Sequence, residues 1–509
     1  MLADTPNMED PAREAKHSGT LSEDGFPDEG SAGLPVSRMG LEQEFFLVDS
    51  AGEPRDLADP FLWECRLAAR ARGLDPGCFK AESVKNLVEI TTPPSHGMRE
   101  IAQHYLDNLG LALGVASGLG LALYPLGTYP LPISPVLRND PRYAVKARTI
   151  GHGRFSHAGR CAGAHLHMEL PPGTVWPDVK TALGAPAAAQ RELLGLYNLA
   201  TALDPALVAL TRACPFYQGK SEGVAARTVH YRGILGREGL YADLREVGGL
   251  SPYASRVEDL VDQQRARYRA WFAAMDLAGV ERSLFAWTGG NLHRASWNPV
   301  RLSHHGTVEI RSMDANFPEM VLAVCALIRG AAERVRRERL EVRPGRGVLT
   351  LEPDGDLLLV PTFSHLNGEL LGAAASRGVL DQRVEAYVDS VVRFASPYLE
   401  SPELVEPLVS SGSYRTTESE IAESLAHPGA PLTRDESLSL VREVCRRTGE
   451  QVSSLRRRYE VSFPRDEHDP QVARVIHIRD SLTVPAEGAH PAGVRLAQAT
   501  AREAGKELA

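Results

Sequence analysis

Cysteine is scarce in this chain: six among 509 residues, at positions 65, 78, 161, 214, 325 and 445, with no C-x-x-C pair. That excludes a dense disulfide framework and predicts free thiols in a reducing, cytoplasmic setting. Long hydrophobic runs are missing too. The longest uncharged apolar stretch, residues 109–123 (LGLALGVASGLGLAL), falls short of the ~20 residues a membrane span needs. It reads as a buried helix or a helix–strand passage, and no membrane partner is expected. The first residues are acidic rather than basic and then apolar, so no signal peptide is expected. Positive charge is not in excess. The net charge is −9, and residues 1–36 hold eight acids against two bases. A nucleic-acid partner is therefore not expected.

Several nucleotide and catalytic motifs are absent. Gly219-Lys220-Ser221 could end a Walker A loop, but Cys214 stands where its first glycine belongs. There is no G-x-G-x-x-G after a strand, no kinase H-R-D or D-F-G set, no H-E-x-x-H and no G-x-S-x-G. Any phosphate would have to be held by metals and scattered basic groups. What remains is an ordinary globular composition, 43% hydrophobic and 24% charged, which excludes global disorder, collagen and coiled coil.

Residues 1–36 lack an apolar period and read as a disordered tail. Residues 37–462 read as one catalytic unit whose 340–462 portion is mostly helical, and 463–509 as a second tail. Strands are expected at 38–48, 86–92, 163–170 and 306–314. Helices are expected from Asp59-Pro60 to about 72, from about 98, and over 187–212, 255–278, 317–340, 378–400 and 434–459.

Four of these segments carry chemistry on one face. Side chains alternate along a strand, so Glu42 and Glu44 share a face opposite Leu41, Gln43, Phe45 and Leu47. Two carboxylates on an otherwise apolar strand repel each other and resist burial, unless the face is solvated or a cation joins them. Glu89 sits among Leu87, Val88 and Ile90, seven residues after Glu82. The two could share a face only if the chain bends near Lys85-Asn86. His165, His167 and Glu169 project to one side of 163–170, either as a polar outer face or as a metal-binding H-x-H. Glu309 and Arg311 share a face of 306–314, as a structural ion pair or as a metal ligand beside a guanidinium suited to carboxylate or phosphate. If a curved antiparallel sheet turns all four faces inward, five carboxylates require several cations. Oxygen-rich ligands favour Mg²⁺ or Mn²⁺.

The order of these motifs resembles the glutamate–cysteine ligase type 2 and carboxylate–amine ligase family. Gly40-Leu41-Glu42-Gln43-Glu44 is similar to its G-x-E-x-E opening, and Leu87-Val88-Glu89-Ile90-Thr91 to its second motif. Gly163-Ala164-His165-Leu166-His167 resembles its G-x-H-x-H strand, and residues 306–314 match G-T-x-E-x-R-x-x-D. The resemblance implies an α+β, glutamine synthetase-like fold: a curved antiparallel β-sheet funnel with helices packed outside. It implies that ATP and Mg²⁺ (or Mn²⁺) are used to phosphorylate the γ-carboxylate of glutamate. The amine of cysteine, or of another acceptor, then displaces the phosphate.

Carried over by position, Glu42, Glu44, Glu82, Glu89, His165 and Glu309 would form the metal shell. Arg311 would hold the phosphoryl group or the glutamate carboxylate, and His167 would line the site. Arg227 resembles a substrate-facing arginine in a segment that lacks the family's serine. Arg301 is either a phosphate contact or a surface cation, and Asp314 is expected to organise the turn after its strand. Residues 219–249 are expected to form a mobile cover. A γ-glutamyl ligase with a different amine, and a metal-dependent hydrolase built on H-x-H, stand as alternatives, and a homo-oligomer is left open.

Overall fold

A computed structural model describes residues 37–462 except 175–184, 411, 426 and 428. The two expected tails, 1–36 and 463–509, lie outside the described residues. At the centre is a seven-stranded sheet formed by β1 (Met39–Asp49), β2 (Phe79–Ala81), β3 (Leu87–Thr91), β4 (Leu121–Tyr124), β5 (Gly163–Glu169), β8 (Val300–Leu302) and β9 (Thr307–Asp314). A separate hairpin joins β6 (Cys214–Tyr217) to β7 (Lys220–Val224). The main order is β2-β3-β1-β5-β9-β8, with β4 also paired to β1, and every pairing is antiparallel. The pairings give an open sheet and not a closed barrel.

Alternation along these strands decides which face meets the helices. Leu41, Phe45 and Leu47 of β1, Val88 and Ile90 of β3, Leu166 and Met168 of β5, and Val308 and Ile310 of β9 share one hydrophobic core. Helices Met98–Gly118, Ala187–Leu210 and Pro318–Arg337 supply a large share of the rest. Ala187–Leu210 is long and apolar enough to cross a membrane by length and composition, yet 94% of its apolar 18-residue window is buried inside the protein. Gln43, on the core face, is accommodated by hydrogen bonds: it donates to the Asn316 carbonyl at 2.6 Å and accepts from Tyr105.

The expected boundaries hold within a few residues, with two adjustments. Asp59 does not cap its helix, which begins at Ala58 after Leu57; its carboxylate pairs instead with Arg138. The 340–462 region opens with a three-stranded sheet (Glu341–Gly345, Glu352–Asp354, Leu357–Pro361) before turning helical. The mostly helical reading overlooks these short strands, broken by Gly345, Gly347 and Gly355, because each is too brief to show a period.

Candidate functional site

Register explains why distant acids meet. Glu42 of β1 stands opposite His165 of β5, and Glu44 stands opposite Glu89 of β3. His167 of β5 faces Glu309 of β9, and Glu309 faces Arg301 of β8. The chain turns at Lys85-Asn86 between β2 and β3, and that turn brings Glu82 back toward Glu89. In the β8–β9 loop Gly306 takes a φ of 72°, a left-handed conformation that favours glycine. This accounts for the glycine that opens the last motif.

Among the described residues, three overlapping groups each have ligand atoms within 4.8 Å of one another: Glu42, Glu89 and His165; Glu42, His167 and Glu309; Glu44, Glu82 and Glu89. All six residues expected in a metal shell belong to these groups. His167, expected only to line the site, joins them. Its Nδ1 bonds to Thr307 Oγ1 at 2.8 Å, which turns Nε2 toward Glu42 at 3.4 Å and Glu309 at 4.0 Å. A ring oriented in this way is how metal-binding histidines are usually held.

The acids divide into two electrostatic classes. Burial opposes the charge on Glu42. It is outweighed by the field of His167, by hydrogen bonds from His165 and His167, and by Lys80, so Glu42 sits well below the usual carboxylate range. Burial likewise raises Glu309, but Arg301 and Arg311 pull it well below that range. Glu89 goes the other way: burial, then repulsion from Glu42 and Glu82, push it well above. Burial lifts Glu44 to about 7 in spite of Arg227. Burial, together with Arg311, holds His165 down at about 3, so the ring is neutral, as a ligand must be.

The basic residues are placed as follows. Arg301 is not a surface cation: its Nε and Nη2 grip the two Glu309 oxygens at 2.8 and 3.2 Å. Arg311 also pairs with Glu309. Arg227 is buried over the Tyr231 ring, with Nη1 3.4 Å from Glu44 and Nη2 3.0 Å from His165 Nε2. Asp314 accepts backbone N–H groups from Ala213, Ala226 and Arg227 at 3.2, 2.9 and 2.7 Å, fixing the Arg227 segment. Residues 225–232 are buried. That part of the expected cover therefore forms wall.

Lys80 was missed. It ion-pairs with Glu42 at 2.9 Å and Glu89 at 3.4 Å. No local pattern marked it: Lys80 meets these acids because it stands opposite Glu89 in the β2–β3 pairing. Lys146, Tyr143 and Trp297 were also missed. They line a cavity of about 320 Å³ together with Glu44, Glu82, Glu89, His165, Arg227, Arg301 and Arg311.

Gly163 shows how tightly Arg227 is seated. A Cβ there would lie 2.7 Å from Arg227 Nε and 2.8 Å from its Cζ. Gly163→Ala is therefore expected to push the guanidinium off Glu44 and His165. It should cost about 1–3 kcal/mol of stability, which parallel thermal melts of the two proteins check.

The family comparison bears on the same strands. The family model described as glutamate–cysteine ligase family 2 matches residues 38–363, which include every strand of the site. The chain belongs to this family. Among curated relatives, the provisionally named glutamate–cysteine ligase 2-1 of Streptomyces avermitilis is 26% identical over 306 residues, 59% of this chain and 70% of that one. A similarly named protein of Streptomyces coelicolor is 25% identical over 225 residues, 44% and 54%. One from Mycobacterium tuberculosis is 29% identical over 198 residues, 38% and 46%. Against the latter two, the match spans about half of the relative's length. Among solved structures, a bifunctional glutathione synthetase from Pasteurella multocida is 12% identical with a TM-score of 0.41, covering 82% of this chain and 52% of that one. That likeness is too distant to add to what the strands themselves show.

Proposed function

We propose that the chain is an ATP-dependent ligase that phosphorylates the γ-carboxylate of glutamate and joins it to an amine, with cysteine the leading acceptor. The observation carrying this reading is the meeting of five carboxylates and two imidazoles, in three overlapping groups, beside Arg227, Arg301 and Arg311. The donor set fits Mg²⁺ or Mn²⁺, being mostly oxygen. Glu44 and Glu89 are raised by burial, and added positive charge would favour their ionised forms. Bound divalent cations would neutralise the triphosphate and align it with the attacking carboxylate.

The residues divide the work. Glu42, Glu44, Glu82, Glu89, His165, His167 and Glu309 would hold the cations. Arg301 and Arg311, which now share Glu309, would turn to the phosphate oxygens as the nucleotide arrives and release a Glu309 oxygen. A γ-carboxylate oxygen of glutamate bonds to the γ-phosphorus as the bridging P–O bond breaks and ADP leaves. The acceptor nitrogen then bonds to the acyl carbon, the C–O bond to phosphate breaks, and the amine proton is lost. Burial of the site limits hydrolysis of the acyl phosphate.

ADP release with glutamate, Mg²⁺ and a panel of amines tests this. Amine-stimulated ADP formation led by cysteine is expected. Stimulation led by another amine would replace the acceptor, and product formation without ATP would remove the ligase reading.

A further inference from the structure

The cavity that holds Glu44, Glu82 and Glu89 is also lined by cations. Helix Pro141–Ile150 places Arg142, Tyr143 and Lys146 on the lining; four residues apart, Arg142 and Lys146 share a helix face. The Lys146 ammonium lies 4.6 Å from the Trp297 ring centroid and 5.7 Å from that of Tyr143. Among the described residues it has no carboxylate ion-pair partner. The charges facing it are Arg301 from β8, Arg311 from β9, Arg142 and the N-cap Asp140 of its own helix, and Glu82 from the β2–β3 turn. Three of these five are positive. The Nε atoms of Arg311 and Arg227, on the same cavity, are buried without a hydrogen-bond partner. An unpaired ammonium and orphaned guanidinium donors lining one cavity are the complement of an anion.

We propose that Lys146, backed by Trp297 and lining the same cavity as Arg311, forms an oxyanion subsite that takes a carboxylate or phosphoryl group of a substrate. The choice between those two oxyanions rests on the ligase reading; the subsite itself rests on the geometry. A binding signature follows. Burial, with Arg301 and Arg311, pushes free Lys146 down to about 7. An arriving anion reverses that field, so binding just above neutrality should draw up to one proton from solution. Arginine would keep the charge without titrating.

Calorimetry of the full chain with Mg²⁺ tests this at about pH 8 in buffers of different ionisation enthalpy. The titrants are glutamate, a non-hydrolysable ATP analogue and inorganic phosphate, each used separately. The wild type should bind with proton uptake. Lys146→Met should weaken at least one titrant about tenfold or more and abolish the uptake, whereas Lys146→Arg should keep the affinity without the uptake. Weakened glutamate binding identifies a carboxylate subsite; weakened analogue or phosphate binding identifies a phosphoryl subsite. Wild-type affinity and uptake in Lys146→Met for all three overturns the subsite and leaves the ligase reading intact. A wild type that binds none of them overturns both.

Discussion

Glu42→Gln is expected to lower ADP release by about a thousandfold or more, which corresponds to a loss of about 4 kcal/mol of transition-state stabilisation. Glu42 belongs to two of the three ligand groups, and it receives Lys80, His165 and His167. An amide keeps the shape but loses the charge, and it turns an acceptor into a donor facing other donors. The fold should also lose stability, by a few degrees in melting temperature. Glu42 is held well below the usual carboxylate range, so its charged form stabilises the folded state. That contribution is present above the unfolded-state value near 4.3 and disappears as pH falls through the folded value. The gap in melting temperature between wild type and variant should therefore be full at pH 7 and close in acid. A variant with wild-type turnover would remove Glu42 from the site.

Glu89→Gln should also lose most turnover, yet the metal-free variant should melt higher than the wild type, by about 2–4 °C. Burial and the neighbouring acids raise Glu89 well above its ordinary value. Between the unfolded and folded values the native state holds a proton that the unfolded chain has released, so wild-type stability falls as pH rises from about 4.5. Glutamine lacks this penalty. In EDTA the stability gap should be small near pH 5 and widen toward pH 8. Mg²⁺ should stabilise the wild type and narrow it. Neutralising a crowded acid does not stabilise at every position: the gain is confined to acids whose neighbours are mostly acids, and Glu42 and Glu309 are excluded by their cations. Thermal melts across pH, with and without Mg²⁺, check both signs. A metal-free Glu89→Gln that melts lower than the wild type at pH 8 would contradict this division.

The site was legible in the sequence where chemistry sits on a strand. Alternation alone placed Glu42 with Glu44, His165 with His167 and Glu309 with Arg311, because a strand's two-residue period survives into the folded sheet. Pairing between strands was not legible. Nothing in the spacing says that Glu44 stands opposite Glu89, or that Arg301 grips Glu309. Those contacts depend on register set by turns such as Lys85-Asn86 and Ser303–Gly306. Lys80, Lys146 and Trp297 escaped for a related reason: each acts through a neighbour more than a hundred residues away or across a strand, and no local pattern marks it. The short strands of 341–361 were hidden by their brevity.

The most direct test is to count Mn²⁺ bound to the full-length chain by electron paramagnetic resonance, without nucleotide, in wild type and Glu42→Gln. The three shared groups lead us to expect more than one ion per chain in the wild type and fewer in the variant. No bound ion at millimolar Mn²⁺, or the same count in both proteins, would show that these acids do not form a common cation site.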